Sequence, residues 1–197
     1  MPESRLLILA STSRYRQELL SRLGLPFRSE DPAVEESSSA GESPADTAIR
    51  LSQAKARAVA ARFPDAMVIG SDQVASCGEL RMGKPGTHER AVAQLAAMSG
   101  RAVRFDTAVA LLDARSGEMQ ARLVPTIVTF RPLSADEIES YLRRERPYDC
   151  AGSAKIERMG IALVERVQSE DPTALIGLPL IALTQMLERG GIRVVGA

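Results

Sequence analysis

The sequence predicts an α/β fold built on a mixed sheet, and three observations predict it. Short apolar runs, Leu6-Leu7-Ile8-Leu9-Ala10 and Val68-Ile69-Gly70, read as buried strands. Stretches of helical period with recognisable starts and stops alternate with them. Two alternating stretches, 103–113 and 118–130, are joined by Ala114-Arg115-Ser116-Gly117 and read as a hairpin, which makes an otherwise alternating sheet mixed. The 197 residues fit a single domain spanning 1–197, or one domain drawn out into two lobes.

The first strand runs directly into Ser11-Thr12-Ser13. A helix opens there, with Leu19, Leu20 and Leu23 on one face and Gly24 as its stop. Ser-x-Ser at a helix start reads first as an N-cap. The same hydroxyls, beside free backbone N–H groups after a strand, also suit an anion, and Arg16 lies one turn in. Residues 28–44 are polar and read as a loop, in which Glu35 and Glu36 are solvated acids unless the loop folds over a site. Ser43 as N-cap and Pro44 at the first helical position open a helix to about residue 62. Lys55 stands one turn from both Leu51 and Val59, beside the apolar stripe. A lysine so placed usually snorkels to water; pointing into a cleft is the less common outcome.

The run Val68-Ile69-Gly70 ends a strand and delivers Ser71-Asp72-Gln73, a carboxylate at a strand tip where open α/β sheets bind ligands. Residues 78–85 read as a loop. They match the first part of a P-loop, G-x-x-x-x-G-K, but Pro85 replaces the hydroxyl that would bind Mg²⁺, leaving Lys84 as a loop cation. A helix follows over 87–98. After the hairpin, Ser134-Ala135-Asp136-Glu137 is a capping box for a helix to about residue 144. Residues 147–153 form a loop with Lys155 and Glu157 just beyond. A strand is expected over 159–167 and a closing helix over 180–189, stopped by Gly190-Gly191.

Lys+Arg and Asp+Glu both total 25, so there is no basic surplus and nucleic acid is not an expected partner. An anionic ligand must be met by local cations. Two cysteines without CxxC spacing argue against a disulfide framework or a structural zinc, and suit a reducing cytoplasm. The single histidine, His88, reads as a solvated residue of a first helical turn, so histidine triads are set aside. The N-terminal residues lead into the first strand without a long apolar signal core. The apolar run 175–183 is broken by Pro179 and falls short of the ~20 residues a membrane span takes. A soluble, cytoplasmic protein without a membrane partner is expected.

Ser11, Ser13, Arg16, Glu35, Lys55, Asp72 and Lys84 together suit a polyphosphate with a divalent metal. The cations spread over the phosphate charge while the carboxylates hold Mg²⁺ or Mn²⁺ and orient a water. Each of these residues alone has a commoner structural role.

The order Ser11-x-Ser13-x-x-Arg16-x-x-Leu19-Leu20, Glu35, Ala54-Lys55-Ala56, Gly70-Ser71-Asp72, Gly83-Lys84-Pro85, Ala151-Gly152 and Gly177-Leu178-Pro179 resembles the Maf family of nucleoside triphosphate pyrophosphatases over nearly the whole chain. The resemblance implies an elongated mixed-sheet Maf/ITPase-like fold with a nucleotide cleft between two lobes. Members are commonly dimeric, which leaves a homodimer open. The implied activity is hydrolysis between the α and β phosphates, with a divalent cation. By the same resemblance Asp72 is the catalytic carboxylate that activates water, as general base or metal ligand, Glu35 helps hold the metal, and Ser11, Ser13, Arg16, Lys55 and Lys84 grip the triphosphate.

Within the family, Tyr15, Gln73 and the run Cys150-Ala151-Gly152-Ser153-Ala154-Lys155-Ile156-Glu157 resemble the branch that acts on 7-methyl-GTP. The physical chemistry agrees. A 7-methylguanine ring is cationic and would stack on the Tyr15 face for roughly 0.5–2 kcal/mol. Glu157 would accept from the guanine N1–H and amine, and Gln73 would touch the base or ribose. Arg14 departs from the proline usual in the family at that place, so the early turn is looser or gains a phosphate contact. Two other readings stand beside this one: a dTTP/UTP pyrophosphatase of the same family, and a non-catalytic nucleotide-binding regulator, since Maf proteins are associated with septum formation.

Overall fold

The computed structural model describes residues 5–196, so the start of the N-terminal stretch, residues 1–4, lies outside the described residues, as does residue 197. Among the described residues there are seven strands and five α-helices. In chain order they are β1 (Leu7–Ala10), α1 (Arg14–Ser21), β2 (Arg28–Glu30), α2 (Pro44–Ala60), β3 (Met67–Cys77), β4 (Leu80–Met82) and α3 (His88–Met98). There follow β5 (Ala102–Asp113), β6 (Met119–Phe130), α4 (Ala135–Glu145), β7 (Val164–Ser169) and α5 (Leu180–Arg189). The sheet order is β2-β1-β3-β5-β6-β7, with β4 paired to β3. β1 is parallel to β2 and β3, while β4 and β7 pair antiparallel to β3 and β6, so the sheet is mixed as expected.

The chain divides into two compact units. The first comprises Met1–Asp72, Thr107–Val124 and Asp171–Ala197; the second comprises Gln73–Asp106 and Pro125–Glu170. In the first unit, strand alternation sorts the core by face. Leu7, Leu9, Met67 and Ile69 pack with Leu19 and Leu20 of α1 and Leu183, Met186 and Leu187 of α5. Ile8, Ala10 and Val68 turn the other way, onto Ala56, Val59 and Ala60 of α2. In the second unit α3 and α4 pack together. Gly152, at φ +72°, lies where a Cβ would meet the Phe105 ring at 3.3 Å.

Four expectations change. β3 does not stop at Gly70: it runs on through Asp72 to Cys77, so the carboxylate stands in mid-strand. Gly70 answers to packing instead, because a Cβ there would run into the backbone of α2, with Ala56 N only 2.9 Å away. The polar stretch after residue 28 begins with β2, a three-residue edge strand without apolar alternation. Residues 80–82 form β4, reached from β3 through Gly78 at φ +59°. The strand expected over 159–167 begins only at Val164. Met159–Leu163 coils as a 3-10 turn, because the Gly160 amide donates to Lys155 O at 3.0 Å and a Cβ there would strike the Lys155 backbone.

Candidate active site

Gly70 also explains where the site lies. With no side chain there, α2 sits directly on β3, and two residues on, the same strand face carries Asp72. Lys55 of α2 meets it: Nζ donates to Asp72 Oδ1 at 2.7 Å and to Glu36 Oε1 at 2.5 Å. Lys55 is 3% exposed and Asp72 6%, so this lysine does not snorkel. Glu36 arrives from the loop before α2 and keeps its side chain 54% exposed. Burial is the largest influence on Asp72 and raises its carboxyl above the ordinary aspartate value; Lys55 and then Arg16 pull it down, and Glu36 raises it further.

The opposite face of the same strand organises the phosphate-type donors. Ser71 Oγ is 2.8 Å from both Ala108 O and Gly177 O, and its one proton serves one carbonyl at a time. Arg16 Nε donates to the same Gly177 O at 2.9 Å, and Arg16 Nη1 reaches Ser11 Oγ at 3.5 Å. Burial lowers the Arg16 pKa from its usual value, while Asp72 and Glu36 act the other way; an arginine stays charged regardless. Ser11 Oγ accepts the Ser13 N–H at 3.1 Å. Ser13 occupies the N-cap position of α1, yet its side chain makes no capping bond, so capping is not what its hydroxyl does.

Of the residues expected to act together, Ser11, Ser13, Arg16, Glu35, Lys55 and Asp72 fall in the first unit. Glu35 is exposed and accepts from Ser37 Oγ at 3.0 Å. Its neighbour Glu36, not Glu35, is the acid on Lys55. Tyr15 stands on the first turn of α1 with the Arg14 guanidinium carbon 4.9 Å from its ring centroid and Arg14 Nη2 donating to its hydroxyl at 3.0 Å. Arg14 thus lies over the tyrosine that was expected to stack on a base.

Lys84, Gln73 and Glu157 belong to the second unit. Gln73 follows Asp72 on β3, half-buried, on the alternate side of the strand. Lys84 is exposed on a loop whose Gly83 carbonyl accepts from Gln94 Nε2 at 3.0 Å, while Gln94 Oε1 accepts from Ser153 Oγ at 2.5 Å. Gln94 therefore ties the lysine loop to the Ala151-Gly152-Ser153 turn, a link with no signature in the sequence. Glu157 is exposed by area, but partial burial of its carboxyl raises its pKa, with Lys155 nearby opposing. His88 is not a freely solvated residue: Nε2 lies 2.8 Å from Glu139 and Nδ1 2.9 Å from the Tyr148 hydroxyl.

A mixed α/β sheet in which a buried lysine of α2 meets a buried aspartate of β3, with hydroxyl and guanidinium donors after β1, is the framework of a phosphate-handling α/β protein. A family model described as Maf-like protein matches residues 6–190, and the chain belongs to that family. It is 59% identical over 188 residues to a 7-methyl-GTP pyrophosphatase of Thiobacillus denitrificans, covering 95% of this chain and 94% of the relative. It is 58% identical over 191 residues to one of Cupriavidus metallidurans, with 97% and 96% covered. To one of Albidiferax ferrireducens it is 55% identical over 196 residues, with 100% and 98% covered. Among solved structures, the Staphylococcus aureus Ham1 protein shares the fold, with a TM-score of 0.52 at 14% identity over 95% of this chain and 100% of that one. Among the described residues no helix is long and apolar enough to cross a membrane.

Proposed function

We propose that this protein is a single-domain, cytoplasmic pyrophosphatase that hydrolyses 7-methyl-GTP to 7-methyl-GMP and pyrophosphate. The observation that carries the substrate is the identity of 55% or more, over nearly the whole chain, to relatives that bear that name. The buried Lys55–Asp72 pair supports the chemistry. In the reaction, water adds to the α-phosphorus as the bond to the bridging oxygen of pyrophosphate breaks, and Asp72 takes the water's proton. A free aspartate near pKa ~3.9 is a poor base at neutral pH, and the upward push of burial moves Asp72 in the useful direction. Lys55 keeps the carboxylate oriented through Oδ1. Arg16, Ser11 and Ser13 gather at the start of α1, where exposed backbone N–H groups favour phosphate oxygens, and Lys84 adds a further cation.

A divalent metal fits this set. Mg²⁺ is commonly held by one or two carboxylates together with substrate phosphates. Asp72 and Glu36, joined through Lys55, are two such acids. Among the described residues no group of three or more His, Cys, Asp or Glu could hold a metal alone, so phosphate oxygens would complete the ligand set. Bound there, Mg²⁺ or Mn²⁺ would neutralise phosphate charge and make a water more acidic. Glu36 takes the metal role that the sequence suggested for Glu35. For the base, Tyr15 and Glu157 carry the specificity reading, with Gln73 as a further contact. Arg14 must leave the Tyr15 face before a cationic ring can stack there.

Pyrophosphate release from 7-methyl-GTP, GTP, dTTP and UTP, each with Mg²⁺ and with Mn²⁺, tests the proposal. Fastest turnover of 7-methyl-GTP is expected; faster turnover of dTTP or UTP would overturn the substrate. Nucleotide binding without turnover under either metal would favour the regulator.

A further inference from the structure

The pair Lys55–Glu36 does not by itself explain why Glu36 stays at the site. Its side chain is 54% exposed, and an ion pair with one partner in water is screened and holds a loop only weakly. The loop is held elsewhere on α2. Arg50 Nε donates to Glu42 Oε1 at 2.6 Å and Arg50 Nη2 to Glu42 Oε2 at 2.8 Å, a two-pronged pairing. The same Nη2 donates to the carbonyl of Ser37 at 3.0 Å, the residue directly after Glu36. Glu42 Oε2 also accepts the Ser39 N–H at 3.1 Å and lies 2.9 Å from Thr47 Oγ1. Unlike Glu36, the Glu42 side chain is only 12% exposed, and Arg50 is the leading cause of its pKa falling to about 2.

We propose that Arg50 is a positioning residue for Glu36: by gripping Ser37 and Glu42 it lays residues 36–42 along α2, so that Glu36 reaches Lys55 beside Asp72. Arg50 precedes Lys55 by five residues, about 7.5 Å along the helix. One helix therefore holds the loop at two levels, Arg50 setting the path and Lys55 receiving the acid. The division of labour follows from the chemistry of the cations. The guanidinium fork fixes a direction, whereas the ammonium is a point charge that takes whichever oxygens are brought to it. This rests on the reading of Asp72 and Glu36 as the acids of the hydrolytic site.

A double-mutant cycle tests it, with Arg50→Ala, Glu36→Gln and the double variant assayed for pyrophosphate release from 7-methyl-GTP across Mg²⁺ concentrations. Arg50→Ala is expected to lower kcat about tenfold while changing the nucleotide KM by less than about threefold. Placed on Glu36→Gln, it should cost less than about a further twofold, because its target is already gone. Fully multiplicative losses would overturn the proposal. Arg50→Lys, which keeps charge and bulk but not the fork, should recover only a minor part, and full recovery would overturn it. Hydrogen exchange gives a readout apart from activity: in Arg50→Ala the amides of residues 36–42 should exchange faster while those of α2 stay protected. Unchanged exchange in 36–42 would overturn the proposal. Absence of pyrophosphate release by the unmodified protein would instead strike the proposed function, and exchange alone would then decide for Arg50.

Discussion

Lys55 in the first unit and Lys155 in the second are both almost inaccessible, 3% and 5% exposed, yet they are paired in different ways. Lys55 faces a carboxylate that is itself buried: the Asp72 side chain is only 9% exposed. Lys155 reaches Asp149 at 3.1 Å, and that side chain is 52% exposed. Taking an ammonium out of water costs several kcal/mol unless a good partner offsets it. Around Lys155 one partner stays wet, so water screens the pair. In the Lys55–Asp72 pair both members are desolvated, where charges act on one another far more strongly, and the half-exposed Glu36 is a second partner of the same ammonium. The first arrangement is a preorganised electrostatic site. The second is a buried stem with a solvated partner, and its backbone matters as much as its charge, since Lys155 N–H donates to the Tyr141 hydroxyl and Lys155 O accepts from Arg158 and Gly160.

The contrast can be broken most severely at the carboxylate. Asp72→Asn keeps the shape and loses the charge; kcat should fall by about a thousandfold or more while nucleotide binding persists, measured by single-turnover assay and calorimetry. Next is the pair Lys55→Met and Lys155→Met. The first should cost about a hundredfold in kcat/KM, the second less than about tenfold with its main effect on Tm. Their pH profiles should separate them further. Asp72 must be ionised to accept a proton, and its pKa is already raised, so activity falls as pH drops through a value above that of free aspartate. Removing Lys55, the main influence pulling that pKa down, moves the acid limb to higher pH; removing Lys155 leaves it in place.

Gly70→Ala perturbs the Lys55–Asp72 pair through packing alone. The new methyl meets the α2 backbone, so stability should drop by about 1–3 kcal/mol in denaturant titration, with activity lost as Lys55 is displaced. The smallest effect is expected in the second unit. Glu157→Gln should reduce the preference for 7-methyl-GTP over GTP by about tenfold in kcat/KM, with Tm unchanged.

What the sequence disclosed followed the physical range of each signal. Helix boundaries were legible because caps are local: the Ser134–Glu137 capping box and Ser43 make the bonds their spacing suggests. The hairpin of β5 and β6 was legible from alternation. β2 was not, because three polar residues on an edge carry no pattern. Lys55 looked like a snorkelling lysine because its partners lie 17 and 19 residues away in the chain. Gly70 looked like a stop because close approach of a helix leaves no mark in the strand that receives it. The neighbouring acids Glu35 and Glu36 could not be told apart by composition. Only the path of the loop, fixed through Ser37 and Glu42, separates them.

The burial of Lys55 and Lys155 has a practical consequence, because the chain contains just three lysines. The third, Lys84, is exposed. Among the described residues, an amine-selective acylating reagent therefore meets one open side-chain amine. That amine belongs to the residue expected to hold triphosphate. Acylation of Lys84, located by peptide mass mapping so that it is separated from reaction at the α-amine, becomes a footprint of occupancy: saturating nucleotide should slow it, and a nucleoside without phosphates should not.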